Sequence, residues 1–208
     1  MSKLLYIKSS PRGERSKSLA VANAFVEAYK QSHPGGEVVV KDLFTTELPI
    51  LDGLTIQGKY NIIHGKEFTP EEEAAWGKVV EVIEEFKSFD KFVFAVPMWN
   101  WNIPYPLKQY IDVLTQPALT FGFDENGLVG LVDGKALIVY ARGSEYPEGS
   151  DMAKINFQSP YLEFILGGVM GMEIVQSLAV EGDVQSPDKI PERRDAAIAK
   201  AREIAKTF

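Results

Sequence analysis

Short apolar runs alternate with helical patterns along the chain, and this alternation is the feature that most constrains the fold. Five runs have the length and the β-branched or aromatic content of strands, at positions 4–7, 38–40, 92–96, 136–141 and 173–180. Helical spacing or helix-start residues accompany them at 19–29, 69–86, 106–114, 161–170 and 188–205. Because consecutive parallel strands need crossover connections, this order predicts an α/β fold with a five-stranded parallel sheet and helices on both faces.

Local patterns refine this order. Thr69, Pro70 and Glu72 have the spacing of an N-cap, a first-turn proline and a capping-box residue, which predicts a helix start. The Phe- and Gly-rich stretch 121–130 predicts a hairpin, whereas 43–68 shows no clear period and is interpreted as an insertion or long loop. With no internal repeat and no linker between two apolar cores, residues 1–208 are expected to form a single domain.

Composition argues against several classes of function. The chain of 208 residues carries a formal net charge of −7 and no basic stripe, so we expect no nucleic-acid partner. No apolar run approaches the roughly 18 residues of a membrane span, so no membrane association is expected. The absence of cysteine excludes disulfides and thiolate sites, and it favours a reducing compartment, for which the cytoplasm is the expectation.

Three loops of unusual composition follow the first, third and fourth predicted strands. Ligands of open parallel sheets bind at the carboxyl ends of the strands, where strand order reverses. The loop 9–18 is rich in Ser, Arg and Lys and runs into a helix, so its hydroxyls and the N–H groups of the helix start can hold a phosphate. Helix capping by Ser16 or Ser18 is the alternative interpretation. The dinucleotide pattern GxGxxG and the triphosphate pattern GxxxxGK[ST] are both missing.

The second loop, 97–106, contains two Trp and two Asn in alternation. Aromatic rings offer a flat apolar surface and Asn side chains offer donors and acceptors, as a planar heterocycle such as an isoalloxazine ring requires. Core packing of the aromatic residues is the alternative. The third loop begins with Arg142, Gly143 and Ser144, where the glycine permits close backbone approach to a ligand, although a simple turn fits the same residues.

In chain order, these loops resemble the FMN-dependent NADH-azoreductase family, within the flavodoxin-like NAD(P)H quinone reductases. The resemblance spans nearly the whole chain, and the segments that carry it are 4–12, Ser16-x-Ser18, 97–101, 107–112, 120–127 and 141–143. It implies a flavodoxin-like three-layer fold with strand order 2-1-3-4-5. It also implies three groups of FMN-binding residues: Ser10, Ser16, Lys17 and Ser18 at the phosphate, Pro97, Met98, Trp99, Asn100 and Trp101 at the ring, and Ala141, Arg142, Gly143 and Ser144 at its other edge. Ser144 stands where the family commonly has a second glycine, which leaves open whether this contact is altered.

The same resemblance implies an oxidoreductase that works by ping-pong hydride transfer through flavin N5. NADH or NADPH would reduce FMN, and an azo compound or quinone would then take the place of the nicotinamide. Because the cofactor supplies the chemistry, no side chain is nominated as an acid or base. Phe121 and Phe123 are the residues expected to cover the substrate pocket, with core packing as the alternative. Family members are homodimers with active sites between subunits, which implies a homodimer here.

Other residues and other protein classes fit the sequence less well. His33 and His64 lie away from the three loops, and without cysteine no metal site is predicted. Lys108 and Asp112 have i,i+4 spacing, which predicts a structural ion pair. A minimal flavodoxin-type electron carrier would lack the insertion 43–68. A phosphoacceptor signalling domain needs acidic residues in the first and second loops, where Ser and the Pro-Met pair stand instead.

Overall fold

The computed structural model describes residues 2–208, in which seven strands form two sheets. The strands are β1 (Lys3–Lys8), β2 (Glu37–Asp42), β3 (Lys91–Pro97), β4 (Phe121–Asp124), β5 (Gly127–Gly130), β6 (Lys135–Ala141) and β7 (Glu173–Val180). Five of them pair in the order β2-β1-β3-β6-β7, all in parallel. Since β6 and β7 are the fourth and fifth strands of this sheet, the predicted order 2-1-3-4-5 is confirmed. β4 and β5 pair antiparallel, which confirms the hairpin predicted at 121–130.

Helices cover both faces of the sheet. They are α1 (Lys17–Ser32), α2 (Gly53–Ile63), α3 (Pro70–Lys87), α4 (Tyr105–Leu114), α5 (Asp151–Lys154), α6 (Ser159–Glu163) and α7 (Ile190–Ala205), and a π-helical turn, Phe164–Val169, continues α6. On one face α1 and α7 pack together and against the strands, whereas α3, α4 and the π-helical turn cover the other face. This is the three-layer α/β fold that the alternation predicts.

The central strands β1, β3 and β6 are buried because their apolar side chains alternate between the two faces of the sheet. Ile7, Phe94 and Ile138 are register partners that pack under α3 and α4. Val93 and Leu137, one position earlier, pack under α1 and α7. Each such side chain contributes about 1.5–3 kcal/mol when it is fully buried. The carboxyl ends of the three strands are therefore fixed relative to one another.

The interpretation of 43–68 as an insertion or long loop is wrong over the part where α2 forms. Asp52 caps this helix, because its carboxylate accepts hydrogen bonds from the N–H and the hydroxyl of Thr55 at 2.9 and 3.0 Å, and these bonds lower the pKa of Asp52. The buried residues of α2 are Thr55, Gly58 and Asn61. A small, polar buried face does not register in a search for hydrophobic periodicity, which explains the error.

Other local predictions are confirmed or adjusted. The Thr69 hydroxyl accepts a hydrogen bond from the Glu72 N–H at 3.2 Å, and the Glu72 carboxylate accepts one from the Thr69 N–H at 3.1 Å, so the capping box is present. Lys108 and Asp112 form the predicted ion pair at 2.6 Å. The helix predicted at 161–170 is instead α6 followed by the π-helical turn, which contains two adjacent glycines, residues of low helix propensity.

Candidate functional site

A cleft of about 180 Å³ lies at the carboxyl edge of the parallel sheet, between the loops that follow β1, β3 and β6. It is named here the three-loop cleft. Its lining residues are Ser10, Arg12, Ser16, Lys17, Pro97, Met98, Trp99, Ala141, Arg142, Gly143 and Asp183. The chain leaves β1 for β2 in one direction across the sheet and leaves β3 for β6 in the other direction, so the strand order reverses between β1 and β3. The cleft lies at this switch point, where ligands of such sheets bind.

The loop after β1 turns into α1 through a 3₁₀ turn at Gly13–Arg15. Ser16 is the N-cap of α1: its Oγ accepts a hydrogen bond from the Leu19 N–H at 3.4 Å and lies 3.2 Å from the Ser18 Oγ. The capping interpretation is thus confirmed, and Ser16 lines the three-loop cleft as well. The first N–H groups of a helix have no partner within the helix, so this end of α1 offers donors and partial positive charge.

The loop after β3 reverses direction in a two-residue turn. Trp99 and Asn102 exchange backbone hydrogen bonds at 2.8 and 2.9 Å, and Asn100 and Trp101 between them have φ angles of 47° and 64°. Positive φ at both central residues is what a type I′ turn requires. The turn leaves the Trp101 side chain half exposed and sets the Trp99 ring 5.8 Å from the ring of Phe44.

Main-chain hydrogen bonds join the loops to one another. The Met98 N–H donates to the Ala141 carbonyl at 2.8 Å, which ties the second loop to the third. The Val184 N–H donates to the Gly143 carbonyl at 2.8 Å, which ties the third loop to the loop after β7. The walls of the three-loop cleft are therefore fixed by backbone contacts that do not depend on the side chains exposed in it.

The guanidinium of Arg142 is bound to other protein groups. Its Nε donates to Gln158 Oε1 at 2.9 Å, and its Nη1 lies 3.1 Å from Glu181 Oε2. Gln158 is fully buried and donates through Nε2 to the Val96 carbonyl at 3.2 Å. The positive charge of Arg142 thus has a carboxylate partner, and the buried Gln158 amide connects the ends of β3 and β6.

Nine of the residues implied to bind FMN line the three-loop cleft: Ser10, Ser16, Lys17, Pro97, Met98, Trp99, Ala141, Arg142 and Gly143. Ser18, Asn100, Trp101 and Ser144 are chain neighbours of lining residues but lie outside the lining. Phe121 and Phe123 lie on β4, also outside the cleft of their own chain, with ring centroids 6.0 Å apart. Phe123 is 76% exposed, so core packing does not account for it.

Sequence reasoning missed Arg12 and Asp183 in the lining and Gln158 and Glu181 behind it. Glu181 and Asp183 directly follow the fifth strand of the parallel sheet, so the strand-end rule that selected the other loops also applied to them. Gln158 carries no comparable sequence signal. Its burial results from tertiary packing of a segment that looks polar in the sequence.

Two tyrosines near Arg142 stay protonated at neutral pH. Burial, with a further contribution from the Glu163 carboxylate, raises the pKa of Tyr140 well above its ordinary value, and the Tyr140 hydroxyl donates to Glu163 Oε1 at 3.2 Å. Burial also raises the pKa of Tyr146. Neither phenol is therefore available as a base.

Within residues 2–208, no group of three or more His, Asp or Glu side chains is placed to hold a metal ion. None of the helices in that part of the chain combines the length and the apolar character needed to cross a membrane.

Comparison with known proteins establishes the family. Residues 2–205 match the family model described as flavodoxin-like fold. An FMN-dependent NADH:quinone oxidoreductase from Nitratidesulfovibrio vulgaris (strain DP4) is 44% identical to this chain, and the alignment covers 100% of both sequences. The chain belongs to the FMN-dependent NADH:quinone oxidoreductase family.

Solved structures agree with membership of the FMN-dependent NADH:quinone oxidoreductase family. An azoreductase from Bacillus anthracis str. Sterne has a TM-score of 0.88 and 34% identity, with 100% of both chains covered. An FMN-dependent NADH-azoreductase from Bacillus anthracis str. Ames Ancestor, solved in complex with FMN, has a TM-score of 0.85 and 25% identity over 99% of this chain and 100% of that one. The resemblance found in the sequence is confirmed, and the protein is an oxidoreductase.

Proposed function

We propose that this protein binds FMN in the three-loop cleft and uses it to carry hydride from NADH to quinones and azo compounds. The observation that carries the proposal is that hydroxyls and cations of the first loop meet the apolar surface of the second loop and the backbone of the third in one cleft. Relatives support the ligand: one is named for FMN, NADH and quinone, and an azoreductase structure contains FMN.

The first loop fits a phosphate. Ser10 and Ser16 offer hydroxyls, Arg12 and Lys17 offer cations, and all four line the cleft beside the N-terminus of α1. A helix N-terminus favours an anion because its N–H groups and its dipole point toward the ligand. Ser18 is fully buried behind Ser16, so we assign it to holding the Ser16 hydroxyl rather than to direct contact.

The other two loops fit a flat ring. Met98 and Trp99 offer apolar side chains to the cleft, and Ala141 and Gly143, which lie beside them after β6, line it as well. FMN held there supplies hydride acceptance and donation at N5. The task of the loops is to orient the ring and to leave one face accessible. NADH and the quinone or azo compound would occupy this face in turn, in a ping-pong sequence.

A homodimer with the cleft at its interface is part of the proposal. The three-loop cleft holds about 180 Å³, whereas sites for drug-sized ligands hold about 300–1,000 Å³. Large side chains are exposed in the loop after β3, on α4, on the hairpin and next to α6: Trp101, Tyr105, Phe123, Phe157 and Phe164. Phe121 and Phe123 lie outside the cleft of their own chain, so we assign them to covering the cleft of a second copy.

Within each copy we propose a single domain, and the lack of cysteine supports a cytoplasmic location.

An anaerobic titration tests the proposed activity. The purified protein is saturated with FMN, freed of unbound flavin and mixed with NADH, and then with a quinone or an azo dye. We expect the yellow colour to stay with the protein, to bleach with NADH and to return with the acceptor, faster than for free FMN at the same concentration. Protein that neither retains FMN nor bleaches with NADH or NADPH would refute the proposal.

The proposed covering role of Phe123 has its own test. Replacement of Phe123 by Ala is expected to raise the KM for a quinone severalfold while the affinity for FMN stays unchanged, because Phe123 belongs to none of the three loops proposed to bind FMN. Val40→Ala, at another exposed apolar position, on the edge strand β2, is the control. Analytical ultracentrifugation of the wild type must show a dimer. A monomer with full activity would exclude a site shared between two copies.

A further inference from the structure

The cation and the anion closest together in the three-loop cleft are Lys17 and Asp183. The Lys17 ammonium forms an ion pair with the Asp183 carboxylate, and both residues line the cleft. The two side chains are 21% and 44% exposed, so the pair is partly shielded from water. A carboxylate thus stands inside the part of the cleft where the phosphate of FMN is proposed to bind.

The position of Asp183 is fixed by its neighbours rather than by the ion pair alone. On one side, Arg193 Nη1 donates to the Glu181 carbonyl at 2.7 Å, and the Glu181 carboxylate is paired with Arg142. On the other side, the Val184 N–H donates to the Gly143 carbonyl at 2.8 Å. The loop after β7 is therefore tied to the third loop on both sides of Asp183, which keeps the carboxylate at the cleft.

Like charges repel, and a Lys ammonium has only three donors to share. Lys17 is the first residue of α1, so a phosphate bound at the start of this helix would share the ammonium that Asp183 holds. We propose that Asp183 competes with the flavin phosphate for Lys17. This competition weakens the binding of FMN and does not affect the binding of a flavin that has no phosphate. This inference rests on the proposed function, because it takes the three-loop cleft as the FMN site.

The test compares FMN with riboflavin, which has the same ring but lacks the phosphate. Dissociation constants are measured by flavin fluorescence for the wild type, for Asp183→Asn and for Asp112→Asn. Asp112 is the matched control, since it also pairs with a lysine and its loss changes the net charge equally, but it lies on α4 away from the cleft lining. Circular dichroism checks that each variant is folded, and Asp183→Ser provides a second neutral variant.

We expect Asp183→Asn and Asp183→Ser to bind FMN about fivefold to twentyfold more tightly than the wild type, the effect of removing one negative charge near a phosphate in a partly hydrated cleft. The affinity for riboflavin stays unchanged in both variants, and Asp112→Asn binds FMN and riboflavin as the wild type does. Unchanged or weaker FMN binding, or an equal gain for riboflavin, would overturn the competition. If the wild type bound no FMN at all, the proposed function would fail first and the inference with it.

Discussion

Asn100 and Trp101 have a backbone conformation that is unfavourable for residues with a Cβ atom. A left-handed residue other than glycine costs about 1–2 kcal/mol. Strain of this kind is retained where the surrounding structure enforces it, frequently at functional sites. Here it lies in the two-residue turn that directly follows the lining residue Trp99.

A pair of substitutions separates the side chain of Trp101 from its backbone. Trp101→Ala and Trp101→Gly both remove the indole, but only glycine relieves the strain, so we expect the glycine variant to be more stable by about 1 kcal/mol in urea unfolding. At Phe157, an exposed loop aromatic with negative φ, the order of Ala and Gly should reverse. If the alanine variant at position 101 were as stable as the glycine variant or more stable, the backbone at this position would not be strained.

Gln158 illustrates a residue whose importance is visible only in the structure. Leucine at this position leaves the Val96 carbonyl and the Arg142 Nε without their partner, so we expect the free energy of unfolding to fall by about 2–3 kcal/mol. Gln31→Leu, at an exposed position on α1, should change it by less than about 0.5 kcal/mol. If both variants lost the same free energy of unfolding in chemical denaturation, the buried amide of Gln158 would contribute no more to stability than an exposed one.

At the scale of elements, the contact of α2 with α3 depends on Gly58. A Cβ atom added there would lie 2.9 Å from the Glu72 carbonyl oxygen and 3.3 Å from the Trp76 Cβ, whereas one added at Gly77 on α3 would meet nothing within 4 Å. Alanine has the higher helix propensity by about 1 kcal/mol. Gly77→Ala should therefore raise the thermal unfolding midpoint, and Gly58→Ala should lower it. A rise in both variants would show that the two helices have room to separate.

The sequence predicts elements well where apolar side chains carry the pattern. The runs 92–96 and 136–141 differ from β3 and β6 by a residue or two at their ends, because these strands are buried on both faces. The edge strand β2 was predicted too short, since charged residues form its ends. α2 was missed because its buried face is small and polar. Prediction fails where packing selects size and hydrogen bonding rather than hydrophobicity.

At the scale of the molecule, topology explains why most of the site was predictable. Parallel strands bring their carboxyl ends to one edge, so three loops far apart in sequence were expected to meet, and residues from all three line one cleft. The same rule does not say which side chains point into the cleft. The position of Arg12 and Asp183 in the cleft lining and the burial of Ser18 were therefore not predicted, because they depend on local turns and ion pairs.

The central claim, that the three-loop cleft is the FMN site, is tested most directly by a crystal structure of this protein grown with FMN. We expect the phosphate within hydrogen-bonding distance of Ser16 Oγ at the start of α1, and the ring against Met98 and Trp99. A larger groove of about 510 Å³ lies between α1 and α7, lined by residues that include Asn23 and Arg202. Flavin density in that groove, with the three-loop cleft filled by solvent, would contradict the account.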